Sequence, residues 1–124
     1  DKNGKVKNVF RTGEDLTVRV YFKQRKDFKG ELNFGVAIYS QEGTYCFGIN
    51  TFIDRVNTNN FVKRGFIEVK YEKMPLKTNS YYIQSGIWGK NVSATYDFLT
   101  KSKGFRMVSL DKNQGIINLK YNWT

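Results

Sequence analysis

The sequence predicts an all-β fold, a two-sheet antiparallel sandwich of eight or nine short strands, and three observations carry that expectation. Apolar and polar residues alternate with a period of two along segment after segment, as they do in strands with one buried face. Turn chemistry separates these segments at Asn3-Gly4, Thr12-Gly13, Lys29-Gly30, Glu42-Gly43, Lys103-Gly104 and Gln114-Gly115. No run of ten residues shows helical spacing. Short strands at near-regular spacing favour a sandwich, although periodicity alone leaves a closed barrel open.

Taken in order, KVKNVF is the first candidate strand, and DLTVRVYFK the second. In the latter Leu16, Val18, Val20 and Phe22 alternate with Thr17, Arg19, Tyr21 and Lys23. ELNFGVAIYS repeats the pattern through Leu32, Phe34, Val36 and Ile38. The SQEG segment that follows suits a three-residue hairpin loop with Gly43 in the left-handed conformation, leading into TYCFGINT. GFIEVKYE buries Ile67, Val69 and Tyr71. The lone proline, Pro75, then ends that strand and forces an extended crossover between sheets. SYYIQSGIW sets Tyr81, Ile83, Ser85 and Ile87 against Tyr82, Gln84, Gly86 and Trp88. ATYDFL, GFRMVSL and GIINLKY complete the set as three further strands.

Two glycines work against this pattern. Gly35 and Gly48 sit inside FGVAIYSQEGTYCFGINT where strands normally carry side chains. An interior glycine costs about 0.5–1 kcal/mol relative to alanine. Their absent side chains therefore read as clearance, either for a bent strand or for a ligand close to the backbone.

The 124 residues fit one domain, 1–124, large enough to fold without disulfide or metal support. Cys46 is the only cysteine and reads as a small, buried apolar thiol. No segment approaches the roughly 20 apolar residues of a membrane span. The chain begins at Asp1 without methionine and is expected to come from a longer polypeptide.

Composition narrows the chemistry further. There is no histidine, which removes the commonest general base, the commonest metal ligand and every imidazole-based triad. The 11 carboxylates have no spacing that enforces a glycosidase-like pair. A phosphate-binding loop is absent, since SGIWGKN shares only letters with one. No catalytic residue, metal or cofactor is expected. Two glycosylation-type triplets, at Asn91 and Asn122, carry no weight.

A net charge of +10 points toward an anionic partner, but the 21 basic residues are spread along the chain and also suit solvated strand faces. Aromatics make up 16% of the residues, and alternation places Tyr21, Tyr39, Tyr82 and Trp88 toward solvent. Sugar rings stack on such faces while their hydroxyls need donors and acceptors such as Asn, Gln and Thr. The candidate carbohydrate-binding residues are accordingly Tyr39, Asn50, Thr51, Tyr82, Gln84 and Trp88. Single-stranded nucleic acid would use similar ingredients, yet no RNA-binding signature is present and the charges do not concentrate beside the aromatics. No nucleic-acid partner is expected.

Three segments in order resemble one family: VFRTGEDLTVRVYF, FGVAIYSQEGTYCFGINT and GFIEVKYEKMPLKTNSYYIQSGI, with a weaker tail in YDFLTKSKGFRMVS and GIINLKYNW. The family is the C-terminal carbohydrate-binding domain of Wzt-type subunits, the ATPase components of ABC transporters that export O-antigen polysaccharide. Asn79 stands where its pattern usually has glycine, a mild change because asparagine also tolerates a left-handed turn.

The resemblance implies an immunoglobulin-like β-sandwich that binds the glycan, often at its modified non-reducing end. It further implies a preceding ATPase domain, a transmembrane partner subunit, and a cytoplasmic location at the inner face of the membrane. It also implies a homodimer formed by exchange of a C-terminal strand, here GIINLKYNW. The alternative class is an extracellular immunoglobulin-like adhesion or binding domain.

Overall fold

The computed structural model describes residues 7–22, 32–58, 65–89 and 95–124, and of residues 88–89 and 95–102 the backbone alone. Seven strands are present among the described residues: β1 (Val9–Arg11), β2 (Leu16–Tyr21), β3 (Leu32–Ser40), β4 (Tyr45–Asn50), β5 (Phe66–Tyr71), β6 (Asn79–Gly89) and β7 (Thr95–Val108). They form a five-stranded sheet in the order β1-β7-β6-β3-β4 and a two-stranded sheet β2-β5. Pairing is antiparallel except for β1, which lies parallel to β7. The protein is a β-sandwich, the class the alternation predicts.

Alternation also assigns the inner faces correctly. Leu32, Phe34, Val36 and Ile38 of β3 are buried, and so are Tyr81, Ile83, Ser85 and Ile87 of β6. Opposite them lie Leu16 and Ile67, with Val18, Val20, Phe22, Val69 and Tyr71 packed against the same core. Phe22 meets Phe34 at 4.8 Å between ring centroids, and Phe47 meets Tyr71 at 6.2 Å. These contacts seat β2 over β3 and β5 over β4. Burying a side chain of this size contributes about 1.5–3 kcal/mol.

The turns follow their chemistry. Gly43 adopts φ 91° in the loop between β3 and β4, where its N–H donates to the Ser40 carbonyl at 2.9 Å and the Ser40 N–H donates to the Thr44 carbonyl at 2.9 Å. Pro75 lies in the connection that carries the chain from β5 in one sheet to β6 in the other.

Three expectations are corrected. ATYDFL and GFRMVSL are not two strands but parts of β7, which runs through Lys103-Gly104 because those residues pair with Ile83 and Tyr82 of β6. GIINLKY forms no strand; it makes a single bridge, Leu76 to Ile117. Asn79 takes no left-handed turn and instead spends its side chain on Glu42 and on the Ser80 N–H. Lys5 and Val6 of KVKNVF and the turns at Asn3-Gly4 and Lys29-Gly30 lie outside the described residues.

Candidate functional site

Register places Tyr39, Asn50, Tyr82 and Gln84 of the predicted residues on the outer face of the five-stranded sheet. Tyr39 pairs with Tyr82 on one side and Tyr45 on the other, forming a row of three tyrosines across β4, β3 and β6. The next row is Gly48, Ala37 and Gln84, and the one after it Asn50, Gly35 and Gly86. Four residues of β3 separate the first row from the third, about 13 Å at the usual strand rise. The two rows beyond the tyrosines carry small residues on β3, Ala37 and Gly35, and Gly35 and Gly86 are both buried.

The tyrosines form a packed unit. Tyr39 and Tyr82 stack with centroids 5.3 Å apart and planes 9° from parallel, while Tyr45 meets Tyr39 edge-on at 5.2 Å and 88°. Tyr39 and Tyr82 are half-buried and Tyr45 is 59% exposed. Tyr45 is the residue that sequence reasoning missed. Strict alternation would group it with Phe47 and Ile49, but a register shift opposite Ile38/Tyr39 turns it to the outer face.

The Tyr45 ring also accounts for one glycine. A Cβ built on Gly48 would lie 1.6 Å from the Tyr45 hydroxyl oxygen, so the empty space above Gly48 is the seat of that ring. Gly48 is cleared for a neighbouring side chain, in a strand that carries the register shift. Gly35 lies in register between Asn50 and Gly86 in the third row, and is buried.

Asn50 and Thr51 hold the turn that closes this end. The Asn50 side-chain carbonyl accepts from the Ile53 N–H at 2.8 Å. The Thr51 hydroxyl accepts from the Phe34 N–H at 2.9 Å and donates to the Asn33 side chain at 3.2 Å, which also accepts from the Phe52 N–H at 3.0 Å. Asn33 is only 2% exposed, so these bonds keep a buried amide satisfied. Gln84 occupies the middle row, half-buried beside Ala37. The backbone of Trp88 pairs with Asn33, and its side chain lies outside the described residues.

Tyr21 stands apart from this group, on the outer face of the two-stranded sheet. It is 68% exposed and tilts against Phe66 at 5.8 Å. Arg19 lies 4.5 Å over the Phe66 ring and donates to Glu68 at 2.7 Å.

At the tyrosine end, Glu42 is held below the usual carboxylate range, first by the Asn79 amide that donates to both its oxygens at 3.0 and 3.1 Å, then by its own backbone and Ser40. Cys46 packs against the core and donates to the Thr44 carbonyl at 3.4 Å, and burial pushes its thiol up. Among the described residues no group of three or more His, Cys, Asp or Glu side chains could hold a metal ion. Neither is there a helix long and apolar enough to cross a membrane.

Comparison with known proteins gives the same architecture. No curated protein matches the chain. Among solved structures, the crystal structure of the C-terminal domain of wzt aligns with a TM-score of 0.65 at 19% identity, covering 94% of this chain and 72% of that one, a likeness of fold. A family model, the Wzt C-terminal domain, matches residues 1–119, and the chain belongs to that family.

Proposed function

We propose that this chain is a non-catalytic polysaccharide-binding module that takes an O-antigen or related cell-surface glycan on the outer face of the five-stranded sheet. The observation that carries the reading is the row of three tyrosines across β4, β3 and β6 with the Gln84 amide in the row beside it. Sugar C–H faces stack on Tyr39 and Tyr82, and the Gln84 amide supplies a donor and an acceptor for hydroxyls. Asn50 contributes its amide N–H groups at the far end, its carbonyl being engaged by Ile53. Thr51 acts through the turn it holds. Trp88 completes the binding set through its place opposite Asn33 in the register.

In the full-length protein this module follows an ATPase domain and serves an O-antigen export transporter at the cytoplasmic face of the inner membrane, recognising the glycan's non-reducing end. Family membership supports this setting. Titration with polysaccharide from the source organism tests the reading: Tyr82→Ala and Tyr39→Ala abolish binding with the fold intact, and unchanged affinity in both excludes this face. Binding that weakens with salt assigns a role to the +10 charge, and indifference to salt denies one.

The module pairs with a second copy by exchange of its C-terminal strand. The tail supports this: Ile117, Leu119, Tyr121 and Trp123 alternate with polar residues and are exposed, Trp123 to 90%. Such a one-sided apolar segment seeks a sheet edge. Deleting residues 116–124 yields a monomer or an aggregating edge, and a well-behaved dimer after deletion overturns the exchange.

A further inference from the structure

Lys77 is 4% exposed, an uncommon place for an ammonium group. Its Nζ donates to the Ser109 hydroxyl at 3.0 Å and to the Asn113 side-chain carbonyl. Both acceptors lie on the segment that leaves β7. The backbone joins in: the Lys77 N–H donates to the Ile116 carbonyl at 2.7 Å, and the Asn118 N–H donates to the Pro75 carbonyl at 2.6 Å. On the other side, the buried Tyr81 hydroxyl donates to the Lys77 carbonyl at 2.7 Å, and the Thr78 hydroxyl accepts from the Ser109 N–H at 2.7 Å. One lysine is thus bonded at three points to residues 109–116, while its own carbonyl is tied to the core.

The same segment is otherwise poorly held. Residues 110–117 are exposed, and the side chains of Leu119, Tyr121 and Trp123 beyond them are at least 63% exposed. The glycan-binding reading makes no use of Lys77. A buried charge is retained only where its hydrogen bonds are made, and these bonds exist only while the tail follows this one path.

We propose that Lys77 is the positioning residue of the C-terminal arm: it pins residues 109–118 to the body, so that residues 119–124 leave in one direction with their apolar side already presented to a second copy of the chain. The proposal rests on the strand-exchange reading and adds to it the device that prepares the arm. A pinned arm loses less conformational freedom on association than a loose one, which raises affinity without a new contact.

The test compares Lys77→Met, Asn113→Ala and the chain shortened to end at Asn118, by sedimentation equilibrium and amide hydrogen exchange. Lys77→Met keeps the stem and removes the donors. Asn113 is exposed, so Asn113→Ala leaves the core untouched and serves where Lys77→Met does not fold. The expected result is a dimer dissociation constant raised roughly tenfold or more in each variant, the size of one lost charge-assisted hydrogen bond. Exchange at the Lys77 and Asn118 amides accelerates with it. A dissociation constant equal to wild type in a folded variant, with the shortened chain monomeric, overturns the role of Lys77 and leaves strand exchange standing. A shortened chain that dimerises like the wild type overturns the exchange reading and the proposal together.

Discussion

The two outer faces of the sandwich both carry exposed aromatic residues, yet they are built differently. On the two-stranded sheet, Tyr21 and Phe66 are already in use: Arg19 covers Phe66 and is bonded to Glu68 across the strands. On the five-stranded sheet, Tyr39 stacks on Tyr82 and meets Tyr45 edge-on, a row of three rings on adjacent strands with the Gln84 amide in the next row. A single exposed aromatic capped by a charged neighbour is therefore a weak sign of a binding site. A row of rings beside an uncharged amide is a stronger one.

The largest effect expected separates the two faces directly. Tyr82→Ala abolishes detectable glycan binding, an affinity loss of at least about tenfold, or about 1.4 kcal/mol, while Tyr21→Ala leaves it unchanged; calorimetric titration of both variants reads the difference. The reverse pattern would exchange the roles assigned to the faces.

Next in size is Thr51→Val, which deprives the Phe34 N–H and the buried Asn33 amide of a partner and costs about 1–3 kcal/mol in urea unfolding. Thr51→Ser restores most of it. A variant that binds less glycan at unchanged stability would instead make Thr51 a direct ligand contact.

A smaller change concerns the interior shared by both faces. The Tyr71 hydroxyl is buried without a hydrogen-bond partner among the described residues, and Tyr71→Phe is expected to raise stability by about 1 kcal/mol. Burial, followed by the nearby Tyr45, pushes the Tyr71 hydroxyl up to about 12 from an ordinary 10. Tyr81 is likewise pushed up to about 12, chiefly by burial. Folding keeps both phenols neutral, so their contribution is complete below pH 10 and is lost as pH rises through 12. Stability measured across that window should fall less steeply in Tyr71→Phe than in wild type. Smallest of all, Arg19→Met should leave glycan binding unchanged and move the melting temperature only slightly, less so at high salt.

Much of the fold was legible because alternation is a local signal. Leu32, Phe34, Val36 and Ile38, or Tyr81, Ile83, Ser85 and Ile87, declare their faces without reference to any other strand. What escaped was set by partners distant in sequence. Lys103-Gly104 reads as a turn by itself and is a strand because Ile83 and Tyr82 lie beside it. GIINLKY reads as a strand, yet only Ile117 finds a bridge partner among the described residues. The site shows the same division: Tyr39, Tyr82 and Gln84 follow from period two, whereas Tyr45 depends on one shifted register between β3 and β4. Asn50 and Thr51 were chosen as hydrogen-bonding side chains, and the bonds they make are those of the turn.

The seating of Tyr45 over Gly48 has a consequence for how this surface can diversify. The volume above that glycine is filled by a ring anchored three residues away, not by backbone. A smaller residue at position 45 alone would open the space above Gly48 while the backbone pairing of β4 stayed in place. On the proposed reading, selection for a different surface polymer acts on that space without disturbing the sheet that carries it.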